Sequence, residues 1–285
     1  MIHRYITFLL KHTHKKWKPI SMLFSILIYF TIFLYGILIG SFLNVCIYRI
    51  PRQENITTTR SHCMSCGYNL KWYDLLPVIS FLILKGRCRK CGAKISPQYP
   101  LIELLNGVLY VVIIVARGGF PKNSFSLTGY DYVSVLFCLA TSALIVLSII
   151  DFRTFEIPLN INIVIFIIGL VRLGFDYENW SLYIIGLFSI STFLYLIYLL
   201  SKGRAIGGGD IKLMAAGGLL LGWKCIILAF FLGCLIGSVV HVIRMTKKKA
   251  NRVLALGPYL SAGIFIMLLC GEKLWNWYLN TFIML

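Results

Sequence analysis

Long uncharged apolar runs alternate with short basic stretches along this chain. Residues 133–150 (VSVLFCLATSALIVLSII) and 180–200 (WSLYIIGLFSISTFLYLIYLL) hold no charged side chain. Each is long enough to cross an apolar layer of roughly 30 Å. Extended over the whole chain, the pattern predicts an all-α polytopic membrane protein with about eight transmembrane helices, near 22–48, 101–116, 133–150, 157–173, 180–200, 211–223, 225–243 and 253–270. The sixth, LMAAGGLLLG, is short and rich in Ala and Gly. Small residues let helices approach closely in a membrane, so this run is expected to lie among other helices and not against lipid.

Composition agrees: 59% of the 285 residues are hydrophobic and 13% charged. The formal charge of +18 raises the question of nucleic acid. The basic residues, however, sit between the apolar runs and form no separate basic domain, so no nucleic-acid partner is expected. They fit the excess of Lys and Arg on cytoplasmic loops instead. The one large polar segment, 49–100, carries Arg49, Arg52, Arg60, Lys71, Lys85, Arg87, Arg89, Lys90 and Lys94. Placing it inside puts eighteen of the 28 Lys and Arg in the cytoplasm. The loops and C-terminus on the opposite side then keep Arg117, Lys122, Arg172, Lys224 and Lys273. Residues 1–21, with Arg4, Lys11, Lys15, Lys16 and Lys18, disagree with that orientation, and Met22 opens the first span directly. They read as a basic extension preceding the native start. The organisation expected is therefore 1–21 extension, 22–48 first span, 49–100 cytoplasmic loop domain and 101–285 membrane-embedded domain.

Five of nine cysteines lie in apolar runs and read as small buried hydrophobes. Cys63, Cys66, Cys88 and Cys91 differ. They form two C-x2-C knuckles separated by 21 residues, each followed by a glycine, Gly67 or Gly92. That spacing is close to a zinc ribbon, with four soft ligands converging from two tight turns. Four thiolates leave no open coordination position, so the zinc would be structural. Disulfides are the alternative, disfavoured in a reducing cytoplasm.

Ten acidic residues are present, and four are not readily explained as solvated surface: Glu103, Asp151, Glu156 and Asp210. Asp151 ends the third apolar run (LSIIDFRTFEIPLN) and Asp210 opens the sixth (GGGDIKL), 59 positions later. Counting spans puts both at one membrane face. Two carboxylates held close share a single proton: the ionised one takes a proton from water and the protonated one polarises a carbonyl. Helix-capping aspartates are the alternative. Gly207, Gly208 and Gly209 remove side chains beside Asp210 and would let a substrate backbone approach. A flexible linker is their alternative, and the Walker phosphate-loop pattern is absent. Lys212 either biases the pair's charge or reaches to lipid headgroups. Glu103, at the start of a span, is a functional candidate or a surface residue.

These stretches resemble the bacterial type IV prepilin peptidases, membrane aspartic proteases of the GxGD class. GSFLNVCIYRIP (40–51), the four-cysteine segment 63–107, IDFRTFEIP, GGGDIKL and LGPYLSAG (256–263) are similar to the family's motifs, in order. The resemblance implies Asp151 and Asp210 as catalytic aspartates in the bacterial cytoplasmic membrane, working at its cytoplasmic face. The implied substrates are type IV prepilins or pseudopilins, whose short basic leader is cut after a glycine just before an apolar helix. It also implies N-methylation of the new terminus with S-adenosylmethionine, an activity associated with the four-cysteine loop. Glu103 would contact the leader or help form that second site. Two departures, Met64 where proline is frequent and Leu159-Asn160 where an acidic residue is frequent, leave methylation and substrate preference more open than cleavage. The rivals are a peptidase without methylation, a proton-coupled transporter using the two aspartates, and a non-catalytic zinc-ribbon scaffold.

Overall fold

A computed structural model describes residues 2–118, 130–246 and 254–282. The side chains of residues 1–22 lie outside that set, as do Lys122, Lys247, Lys248, Lys249 and Arg252. Among the described residues nine α-helices account for the fold: α1 (Ile2–Arg49), α2 (Ile79–Ile83), α3 (Gln98–Ala116), α4 (Tyr130–Thr154), α5 (Leu159–Phe175), α6 (Trp180–Leu200), α7 (Gly208–Leu221), α8 (Trp223–Thr246) and α9 (Gly257–Phe282). Among the described residues the only strand-like pairings are two isolated bridges in the cysteine loop, His62 with Asn69 and Arg87 with Lys94.

Each of the eight expected apolar runs coincides with one helix. Among the described residues five stretches are long and apolar enough to cross a membrane: Ser25–Arg52, Gln98–Ala116, Tyr132–Thr154, Tyr177–Leu200 and Trp223–Thr246. Leu159–Phe175 and Gly257–Gly271 are apolar but shorter, and α7 has only 14 residues. The expected boundary before Met22 does not interrupt the backbone helix, since α1 starts at Ile2.

α4 is the centre of the bundle and packs on α1, α3, α5 and α9. Its window is the most buried of the five, whereas α1 and α8 present Leu23, Leu27, Phe30, Leu38, Phe231, Leu235 and Val239 outward. An apolar exterior around a packed interior is what a lipid solvent requires. With little hydrophobic drive between helices in lipid, contact depends on close packing and polar links. Both are present. A Cβ at Gly36 would stand 2.7 Å from Gly107 Cα, so α1 and α3 meet backbone to backbone. A Cβ at Gly218 would collide with the Gly186 carbonyl, which fixes the same kind of contact between α6 and α7. Asn106, fully buried, donates to the Gly36 carbonyl at 2.7 Å and accepts from Ser142 at 2.9 Å. Tyr110 completes this α1–α3–α4 network at Ser142.

The helices run alternately up and down, which gathers the C-termini of α1, α4, α6 and α8 with the N-termini of α3, α5, α7 and α9 at one end. Asn44 donating to the Tyr99 carbonyl at 3.1 Å and Arg153 bonding Gln98 tie this end together.

Candidate active site

The aspartate end of the bundle is built around the turn that leaves α4. Asp151 lies inside the last turn of α4 and is 4% exposed. It is therefore not a helix cap. Phe155 then takes φ +57°, and its N–H returns to the Asp151 carbonyl at 2.8 Å, which stops the helix. Oδ2 of Asp151 accepts the backbone N–H of Gly257 at 2.9 Å, from the first residue of α9. A Cβ there would stand 2.7 Å from that oxygen, so the approach depends on glycine.

Ile157 links this turn to α7. A Cβ on Gly209 would lie 2.7 Å from Ile157 Cβ, and one on Gly257 would lie 3.2 Å from Ile157 Cδ1. One side chain thus fills the space between the starts of α7 and α9. Asn162 of α5 donates to the Gly209 carbonyl at 3.4 Å, and its own Oδ1 is buried without a partner among the described residues.

Asp210 is in the first turn of α7, whose N-cap is Gly207. Its N–H donates to the Gly207 carbonyl at 3.2 Å, and Oδ2 lies beside Gly207, 3.1 Å from where a Cβ would stand. The other, Oδ1, is buried with no hydrogen-bond partner among the described residues. Asp151 and Asp210 come from helices that are not neighbours in sequence, and Ile157 links their surroundings, lying between Gly209, next to Asp210, and Gly257, which bonds Asp151. The three glycines before Asp210 are not equivalent. Gly208 has open space where a side chain would be, Gly207 faces Asp210, and Gly209 is closed off by Ile157. Only part of the triplet leaves room for another chain; Gly209 serves packing. Lys212 is exposed.

The cysteine loop caps the same end. Cys63 and Cys88 each open a knuckle closed by paired backbone bonds, Cys63 N–H to the Tyr68 carbonyl and Cys88 N–H to the Ala93 carbonyl. Gly67 at φ +68° and Gly92 at φ +71° supply the left-handed turn each knuckle needs. The four sulfurs lie within 4.8 Å of one another, with Cys63 and Cys91 at 3.8 Å. Zn–S bonds of about 2.3 Å in a tetrahedron place sulfurs about 3.8 Å apart, so the donor set fits zinc. Backbone N–H groups of Ser65 and Cys66 draw the Cys63 thiol down to about 6. The Ala93 N–H acts the same way on Cys91, but the thiols of Cys66, Cys88 and Cys63 outweigh it and push Cys91 up to about 11. Behind the knuckles Arg89 pairs with the buried Asp74 at 2.8 Å.

Between this loop and the helices α1 and α3 lies a cavity of about 390 Å³. Glu103 lines it, 6% exposed, and its Oε2 accepts the Val78 N–H at 2.7 Å. That burial excludes a surface role for Glu103, and its place inside α3 is not that of a cap of its own helix. Asn44 also lines the cavity, and its Oδ1 is buried without a partner among the described residues. Arg49 lines it too, but its guanidinium is engaged by the carbonyls of Asn55, Ile56, Thr59 and Arg60. That bond set holds the loop to the end of α1. Asn44 and Arg49 fall within GSFLNVCIYRIP, Ile157 within IDFRTFEIP and Gly257 within LGPYLSAG, but nothing in those stretches singles them out, and Asn162 lies outside all of them.

Comparison with known proteins gives the family. A family model described as the bacterial Peptidase A24 N-terminal domain matches residues 34–117. The model of the type IV leader peptidase family matches residues 138–242. The chain is 31% identical over 288 residues to the prepilin leader peptidase/N-methyltransferase of Aeromonas salmonicida (strain A449), covering 89% of this chain and 95% of that protein. It is 32% identical over 253 residues to the protein of that name from Bacillus subtilis (strain 168), covering 87% and 97%. With the Myxococcus xanthus (strain DK1622) protein, the values are 33% over 223 residues, 76% and 63%. No solved structure matches.

Proposed function

The chain belongs to the type IV leader peptidase family, and on that premise we propose that it is a membrane aspartic endopeptidase whose catalytic pair is Asp151 and Asp210. The substrate is a prepilin or pseudopilin, as the relatives' names suggest, cut at the junction between its basic leader and its apolar helix. The observation that carries this reading is the convergence of the two aspartates from α4 and α7 at one end of the bundle. Their setting fits the division of labour such a pair requires. Asp151 is held by Gly257, while Asp210 keeps a buried oxygen free. Two carboxylates close together hold one proton between them. The ionised one takes a proton from the attacking water and the protonated one hydrogen-bonds the scissile carbonyl. Open space at Gly208 lets an extended backbone lie beside Asp210.

The basic loops support eight crossings with this end in the cytoplasm of a bacterial inner or plasma membrane, where a basic leader would be met. The expected partition of the chain is retained on the same ground: a first span to residue 48, a cysteine loop over 49–100 and a peptidase region after it.

N-methylation of the new terminus is the second activity, supported by the cavity beneath the loop. When bound, S-adenosylmethionine supplies the methyl group. It is a sulfonium carrying an ammonium, and Glu103 with Asn44 Oδ1 offers a charge and an unused acceptor suited to such a cation. Cys63, Cys66, Cys88 and Cys91 would hold a structural zinc that pins the loop over this cavity.

A transporter would need neither the cavity nor the cysteine cluster, and the family does not favour it. The test is processing of a purified prepilin by wild type, Asp151→Asn and Asp210→Asn, with labelled S-adenosylmethionine present. Both variants should lose cleavage by at least about 1,000-fold, within what removing a member of such a catalytic unit costs. Wild-type cleavage by either variant overturns the pair, and cleavage without label transfer removes the second activity alone.

A further inference from the structure

The opposite end of the bundle holds a second cavity, of about 580 Å³, between the C-termini of α3, α5, α7 and α9 and the start of α8. Four cationic side chains line it: Arg117, Arg172, Lys224 and Lys273. The sole acid in its described lining is Asp176. That carboxylate is engaged by neutral donors, accepting the Tyr183 hydroxyl at 2.5 Å and the Asn179 amide at 2.9 Å.

The cations are arranged by aromatic rings. The guanidiniums of Arg117 and Arg172 each lie 4.9 Å from the ring of Phe137. The ammonium of Lys224 lies 5.8 Å from the rings of both Trp223 and Trp275, which meet edge to face. Arg172 also bonds the Leu220 carbonyl, which holds it at the mouth of α7. For Arg172 and Lys224, cation–π contact orients the positive group without neutralising its charge. Gathering Arg172, Lys224 and Lys273 around one space that holds the single carboxylate of Asp176 among its described lining costs free energy that an added anion relieves.

We propose that this cavity binds the phosphodiester headgroup of an anionic phospholipid at the membrane face opposite the aspartates. Basic pockets between membrane helices suit anionic headgroups, and Trp residues belong at the interface where headgroups lie. Trp223 and Trp275 supply that belt here. A soluble phosphate would share the charge chemistry but would gain nothing from an apolar rim facing the acyl chains. This inference is independent of the reaction at Asp151 and Asp210.

Native mass spectrometry of the full-length protein, exchanged into phosphatidylcholine nanodiscs doped with phosphatidylglycerol, tests it. Wild type should retain phosphatidylglycerol over phosphatidylcholine. Lys224→Gln with Lys273→Gln leaves Arg172 and its helix contact in place, and should cut that preference roughly 25-fold, at about fivefold per charge. The exposed pair Lys202→Gln with Arg204→Gln, at the aspartate end, should retain it. No preference in wild type, or an equal loss in both double variants, overturns the proposal. So does saturation by glycerol phosphate in neutral micelles that phosphatidylglycerol does not displace, which would make the site one for a soluble phosphate.

Discussion

Gly257 donates its backbone N–H to Oδ2 of Asp151, joining residues 106 positions apart at 2.9 Å. A proposed catalytic carboxylate is thereby fixed by a main-chain group that no side-chain substitution removes, but that a side chain can displace. Gly257→Ala puts a methyl 2.7 Å from the oxygen it serves. Overpacking of this kind costs about 1–3 kcal/mol. The expected result is a fall in kcat for prepilin cleavage of roughly tenfold or more, with KM little changed. Steady-state kinetics checks it, and unchanged kcat would detach Gly257 from the site.

If Asp151 and Asp210 act as one unit, their losses do not add. The double variant Asp151→Asn with Asp210→Asn should cleave no more slowly than the worse single variant. A double loss equal to the product of the two single losses would mean independent roles.

The contact between α6 and α7 has no room for a side chain, because a Cβ on Gly218 meets the Gly186 backbone. Gly218→Val should force the helices apart and lower the melting temperature sharply, with loss of folded protein in detergent. Gly174→Ala is the matched control: nothing lies within 4 Å of a Cβ there, so its melting temperature should stay within a few degrees.

Purified protein should contain about one zinc per chain, as a four-thiolate site implies. Cys88→Ser should reduce the zinc content measured by metal analysis and impair methyl transfer more than cleavage, since the loop covers the cavity and not the aspartates. Full zinc in that variant would dissociate the cluster from metal binding.

Glu103→Gln keeps an oxygen for the Val78 N–H but removes the charge facing the cavity. A charged hydrogen bond is worth about 1.5–3 kcal/mol. Methyl transfer should therefore fall about ten- to hundredfold while cleavage stays near wild type. Equal losses in both activities would assign Glu103 a purely structural role.

Much of this architecture was legible in the sequence because charge is scarce there. Asp151 and Asp210 stand out against apolar runs, and counting spans puts them at one end. The cysteines are legible from spacing alone. What could not be read is contact across distant segments. The bond from Gly257 to Asp151 and the wedge of Ile157 between Gly209 and Gly257 depend on how α9 and α7 meet the turn after α4. Gly209 looked like space for substrate and is packing, because a glycine's neighbour is invisible in sequence. Arg117 and Arg172 read as loop charge, yet both lie against Phe137. The apolar run of the first span is legible from about residue 22, and Ser25–Arg52 is the stretch apolar enough to cross a membrane, although the helix backbone itself starts at Ile2.

α7 has 14 residues and α8, joined to it through Gly222 alone, has 24. At 1.5 Å per residue they measure about 21 and 36 Å along their axes. Both start from the same turn, so the Asp210 end of α7 stops about 15 Å short of the far end of α8. Gly207 and Gly208, just before Asp210, are exposed, and Gly208 has open space where a side chain would be. On the proposed function, the shortness of α7 sets how far along the bundle axis a substrate strand has to extend to meet that carboxylate.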